Sequence, residues 1–201
     1  MTVNGIVISP SIASANQLYL AEELKRVHDK ECQDLHIDIE DGNFIPNITF
    51  GQKTIYALRN ATDLPFSYHL MTTHWKEWLQ VAADTNASVV FAHLEVLDYP
   101  RAFIFAAKKH GIRAGLALNP KTQLTGIEYL MPDLDAVLIL TVEPDDVGEP
   151  FLPGILKKAA YARSVAPDIE IWVDGAVKFD MLDTLRGHGV THVVMGREFF
   201  K

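Results

Sequence analysis

Cysteine is nearly absent from this chain. Cys32 alone cannot close an internal disulfide, so the sequence reads as a protein of a reducing compartment, with the cytoplasm expected. Clusters of Lys and Arg are also missing and the formal net charge is -8, which works against nucleic acid or anionic membrane as a partner, because both polyanions select basic patches. No apolar run approaches the ~20 residues that span a bilayer, and the opening MTVNGIVISP lacks the basic region of a secretion signal. Neither GxGxxG nor GxxxxGK[ST] follows the first apolar run, which argues against an open nucleotide-binding sheet. No Ser/His/Asp or Cys/His nucleophile pattern can be placed.

What is present is a regular alternation. Eight short apolar runs, GIVIS, LHIDI, FSYHLM, SVVFAHL, IRAGLAL, AVLILTV, IEIWVD and HVVMG, read as strands. Amphipathic segments such as NQLYLAEELKRVHDK, HWKEWLQVAADTN, PRAFIFAAKKHG, PGILKKAAYARSV and KFDMLDTLRGHG lie between them and read as helices. Strand and helix in alternation give a parallel sheet, and eight units is the number at which it closes, so the expected fold is α/β, a (β/α)8 TIM barrel. With 201 residues, 48% hydrophobic and 22% charged, and no linker or low-complexity tract, residues 1–201 are expected to form a single domain. Only REFFK follows the last run, so the final helix is missing. Either the barrel is left uncovered there for a partner subunit to shield, making a homo-oligomer, or the sequence is cut short.

Function in such a barrel sits at the C-terminal ends of the strands. Side chains alternate along LHIDIE, placing His36, Asp38 and Glu40 on the inner face and Leu35, Ile37 and Ile39 toward the helices. His69 ends a second run and Asp174 a third. Two imidazoles and two carboxylates from three strand ends suit one divalent ion such as zinc, manganese, iron or cobalt. His93, near the top of the fourth run, is either a substrate contact or a satisfied core histidine.

The segments ISPSIASAN, LHIDIEDGNFIPNITFG, YHLM, LALNPKT, LTVEP and VDGAV occur in the order and spacing of the ribulose-phosphate 3-epimerase family, and HxDxxDGxFxPN is highly specific. The resemblance spans essentially the whole chain. It implies a ribulose-phosphate-binding barrel that inverts C3 of a ketose phosphate, ribulose 5-phosphate or a relative such as allulose 6-phosphate, with no nucleic acid or membrane involved. It further implies that His36, Asp38, His69 and Asp174 hold one divalent metal, usually zinc, and that Asp38 and Asp174 are the acid/base pair on opposite faces of a metal-stabilised enediolate. Ser11 would touch the substrate and Met71 would cap it.

The chain also departs from that pattern. Glu40 and Leu140 stand where the family usually carries methionine, and Glu40 either reads a substrate hydroxyl or leans to solvent at the rim. Where the family has a glycine-rich phosphate loop, this chain has DDVGE, keeping only Gly148. The usual VDGG is VDGA, so Gly175 is followed by Ala176, and the usual GS is Gly196-Arg197. Arg197 can grip a phosphate bidentately in place of lost backbone donors, or pair with Glu198 or the acidic loop. These changes motivate a rival expectation, a sugar-phosphate-binding or regulatory barrel with little turnover.

Overall fold

The computed structural model describes residues 1–144 and 150–201. A two-residue strand β1 (Thr2–Val3) turns through Asn4 and Gly5, both at positive φ, and pairs antiparallel with β2 (Ile6–Pro10). Asn-Gly suits that tight turn because both central residues must take up left-handed backbone. Seven further strands run parallel to β2: β3 (Leu35–Glu40), β4 (Phe66–Met71), β5 (Ala87–His93), β6 (Arg113–Leu118), β7 (Ala136–Leu140), β8 (Glu170–Asp174) and β9 (His192–Met195). Each falls on one of the eight apolar runs.

The sheet order is β1-β2-β9-β8-β7-β6-β5-β4-β3, and a parallel bridge between Ser11, just past β2, and His36 on β3 closes a (β/α)8 barrel, with β1 hanging off β2. This seam carries little backbone pairing, and buried side chains cross it. Ser9 Oγ donates to Asp34 Oδ2 at 2.6 Å, and Ser67 Oγ donates to the same oxygen at 2.7 Å. Inside the barrel, the β2–β4 wall is polar, with Ser9, Ser11, His36, Asp38, Ser67 and His69 all buried. The opposite wall is apolar, built on Val89, Phe91, Leu138, Trp172 and Val194. Leu35, Ile37 and Ile39 face outward into the larger core under the helices, as the alternation requires. Burial of each large side chain there contributes about 1.5–3 kcal/mol.

Among the described residues, six α-helices surround the strands: α1 (Leu20–Asp29), α2 (Gln52–Ala61), α3 (Trp75–Asp84), α4 (Pro100–Lys109), α5 (Leu156–Val165) and α6 (Leu182–Gly187). Five lie within the amphipathic segments quoted above. The sixth, α2, lies outside those segments and buries Ile55 and Leu58. Between β6 and β7 the crossover is a 3-10 helix, Glu128–Asp133, with Pro132 inside it, where the missing N–H disfavours an α-helix. After β9 the described residues form a turn and no helix. Phe199 is buried, and its carbonyl accepts a hydrogen bond at 3.0 Å from Lys30 Nζ, just past the end of α1, while Arg26 on α1 donates to the backbone oxygens of Phe200 and Lys201. This segment therefore folds back onto α1. No helix among the described residues is long and apolar enough to cross a membrane.

Candidate metal centre and active-site cavity

The polar wall rises to the C-terminal ends of β3 and β4, where the register sets Asp38 beside His69 and Glu40 beside Met71. Asp174 reaches the same point from the end of β8. One ligand atom from each of His36, Asp38, His69 and Asp174 lies within 4.8 Å of the others, so this cluster could hold a metal ion. His69 Nδ1 is 3.2 Å from Asp38 Oδ1 and 3.2 Å from Asp174 Oδ2, and His36 Nε2 is 3.4 Å from Asp38 Oδ1. His36 Nε2 and Asp38 Oδ1 are buried with no hydrogen-bond partner. Leaving two such atoms unsatisfied is costly, and a cation between them removes the cost, so the donor set fits a divalent ion.

Each member of the cluster is itself held. His36 Nδ1 lies 2.9 Å from Ser67 Oγ, whose proton goes to Asp34. Ser11 Oγ donates a hydrogen bond to Asp38 Oδ2, and Thr49 Oγ1 donates to the Asp38 carbonyl at 2.6 Å. Thr141 donates to the Asp174 carbonyl through both its N–H and its hydroxyl, fixing the end of β8. His69 Nε2 is 2.9 Å from His93 Nε2, and His93 Nδ1 is 3.0 Å from Glu95 Oε2.

Burial and charge set the acidities. Burial alone would raise the Asp38 carboxyl, but His36 and His69 alongside hold it well below the usual carboxylate range. For His69, burial is outweighed by hydrogen bonds to Asp174 and Asp38, which push it up to about 9. Burial takes His93 down to about 4 despite its bond to Glu95. Glu95 itself, which burial would raise, is brought down to about 2 by donors from His93, Thr122 and the Asn119 N–H. Glu40 is pushed up to about 7, first by burial and then by the Asp38 and Asp174 carboxylates.

Above the cluster opens a cavity of about 750 Å³, a size that suits a small metabolite. Ser11, Asp38, Glu40, Met71, Leu140 and Asp174 line its floor and walls, while Gly175, Ala176, Gly196 and Arg197 line it toward β8 and β9. Glu40 is half-buried, lines the cavity and accepts a hydrogen bond from Asn47 Nδ2 at 2.7 Å. Arg197 has no ion pair among the described residues, and Glu198 pairs with Lys201. His93 is fully buried and is not on the cavity wall. Gly148, with the rest of the DDVGE segment, lies outside the described residues.

Several contributors escaped the sequence reading. The HxDxxDGxFxPN segment builds a folded-back loop: Asp41 Oδ1 accepts the N–H groups of Asn43 and Phe44, Gly42 sits at positive φ, and Asp41 pairs with Ile48. That return brings Asn47 to Glu40 and Thr49 to Asp38. Asp41 Oδ2 also accepts from Thr72, tying the loop to β4. Ser67 and Thr141 carried no signal, because each acts on a neighbouring strand, and Glu95 reaches the cluster only through His93.

The sequence profile of the ribulose-phosphate 3 epimerase family matches residues 7–200. The chain is 34% identical to a ribulose-phosphate 3-epimerase of Bacillus subtilis (strain 168), covering 95% of this chain and 90% of that one. It is 32% identical to one from Synechocystis, covering 97% and 87%. Among solved structures, a mutant tryptophan synthase alpha-subunit from Pyrococcus furiosus superposes with a TM-score of 0.70 over 98% of this chain and 89% of that one. At 12% identity, that likeness speaks to the barrel fold alone.

Proposed function

The chain belongs to the ribulose-phosphate 3-epimerase family and is an epimerase acting on a sugar phosphate, and from that premise we propose that it inverts C3 of a pentulose phosphate, interconverting ribulose 5-phosphate and xylulose 5-phosphate. Asp38 and Asp174 are the acid/base pair in this reading. One carboxylate takes the proton from the carbon beside the ketone, and the other returns a proton to the opposite face. The observation that carries the reading is the convergence of His36, Asp38, His69 and Asp174, with two buried polar atoms left unpaired among them.

These four residues would hold one divalent ion, with zinc suiting the two-nitrogen, two-oxygen donor set. That ion would supply positive charge where the substrate oxygen becomes negative as C3 loses its proton. Ser11 orients Asp38 by bonding one carboxylate oxygen, leaving the other toward the histidines. Met71 and Leu140 give the cavity an apolar wall that excludes water from the reacting carbon. Arg197, with the backbone of Gly175, Ala176 and Gly196, is the phosphate grip, and Gly148 belongs to the same role by its place in the sequence. Glu40, with Asn47, offers a hydrogen bond to a further hydroxyl, which makes a hexulose phosphate such as allulose 6-phosphate the second substrate reading. A single domain over residues 1–201, cytoplasmic residence and a homo-oligomeric state complete the proposal.

Deuterium uptake from heavy water, followed by NMR with zinc- or manganese-loaded protein and a panel of ketose phosphates, tests it. Label at C3 of ribulose 5-phosphate is expected, abolished in Asp38→Asn and Asp174→Asn without loss of fold. Bound metal with no exchange in any ketose phosphate would sink the two-base assignment and favour a sugar-phosphate-binding barrel with little turnover.

A further inference from the structure

We infer that Glu95 and His93 are positioning residues for the metal centre, holding His69 in the one tautomer that presents Nδ1 to an ion. The inference rests on reading His36, Asp38, His69 and Asp174 as the metal site, and it concerns two residues that touch neither the cavity nor the ion.

The proton count along the chain of contacts fixes its direction. Glu95 Oε1 already accepts the Asn119 N–H at 2.8 Å and the Thr122 hydroxyl. Glu95 Oε2 lies 3.0 Å from His93 Nδ1, and an ionised carboxylate can only accept, so the hydrogen between them sits on His93 Nδ1. A neutral His93 then has a lone pair on Nε2. That atom is 2.9 Å from His69 Nε2, and two ring nitrogens at such a distance need one hydrogen between them, which His69 Nε2 must supply. In the neutral tautomer that an ion can bind, once it has displaced the proton on Nδ1, His69 therefore keeps its lone pair on Nδ1, facing Asp38 and Asp174. Both histidines are fully buried, and the Phe44 ring covers His93 at 4.6 Å, so water has no place in the relay.

His36 obeys the same logic with its nitrogens exchanged. Its Nδ1 faces Ser67 Oγ, whose own proton is committed to Asp34, so His36 Nδ1 carries the hydrogen and Nε2 is the unpaired atom. Each histidine ligand is thus backed by a chain ending in a carboxylate, Asp34 for one and Glu95 for the other. Outer partners of this kind set the tautomer of a metal-binding imidazole, and their loss typically costs about 10–100-fold in affinity. Glu95 is itself immobilised, because Lys158 Nζ bonds the carbonyls of Asn119 and Pro120 and so pins the turn whose N–H holds the carboxylate.

Glu95→Gln is the discriminating change. With its amide oxygen kept by the Asn119 N–H and Thr122, its NH2 group would face His93 Nδ1 and donate, reversing every hydrogen in the chain and placing a proton on His69 Nδ1. Zinc affinity, measured by competition with a chromophoric chelator, is expected to fall about 10–100-fold in E95Q. A second readout is 15N-histidine NMR of the zinc-loaded wild type, where the hydrogen between the two rings should be bonded to His69 Nε2. Wild-type zinc affinity in folded E95Q, or that hydrogen found on His93 Nε2, would overturn the relay alone. A wild type that binds no zinc would overturn the metal site and the relay together. If E95Q does not fold, the NMR measurement on the wild type decides.

Discussion

Ala176 sits at φ +52°, in the left-handed region that an L side chain enters at a cost of about 1–2 kcal/mol. It follows Gly175, also at positive φ, in the turn that carries the chain from Asp174 past the phosphate end of the cavity. Ala176→Gly should relieve the strain, partly offset by the greater freedom of glycine in the unfolded chain, for a net gain of about 0.5–1 kcal/mol read from urea unfolding. Glu40 gives a second effect at this scale, and its sign is fixed by linkage. Its carboxyl is raised from the usual range to about 7, so the folded protein holds that proton more tightly than the unfolded chain does. The associated stability is present below the unfolded carboxyl range and is lost as pH rises through about 7. In metal-free protein, Glu40→Gln should therefore gain on the wild type as pH rises from about 5 to about 7, seen as a gap between urea midpoints that grows across this range and levels off above it.

At the scale of the elements, β5 and β6 share a tight fit inside the barrel. A side chain at Gly115 would run into the ring of Phe91, which is fully buried and packs edge-on against Trp172 at 5.2 Å. Gly115→Ala should cost about 1–3 kcal/mol by thermal unfolding while leaving zinc affinity unchanged, since the crowding falls on the apolar wall and spares the metal centre. That fit could not be read from IRAGLAL, where the glycine looks like a weak point in a strand. The strands themselves were legible because each is a short β-branched run, and the inward placing of His36, Asp38 and Glu40 followed from the period of two. Contacts between elements were hidden, because they depend on register. His69 lies opposite Phe91 on β5, and only that pairing brings His93 up under its ring. The seam between β2 and β3 was equally hidden, since Ser9, Asp34 and Ser67 are small or polar residues that mark no period.

The molecule as a whole carries an excess of negative charge and gathers two carboxylates at the mouth of its barrel, with His69 drawn up to about 9 between them. An ion that binds the folded protein and not the unfolded chain stabilises it by about 2.7 kcal/mol when present at 100 times its dissociation constant. Chelation should therefore lower the melting temperature of zinc-loaded protein, and Asp174→Asn, which removes a ligand, should show little further drop. The size of the drop should depend on pH in a set direction. Binding at His69 Nδ1 must displace the proton held there below about pH 9, so each unit of acidification weakens apparent affinity by about tenfold. At fixed free zinc, the gap between loaded and chelated melting temperatures should widen from about pH 6 to pH 8. A gap that narrowed over this range would mean that the ion does not compete with the His69 proton, and would remove His69 from the ligand set.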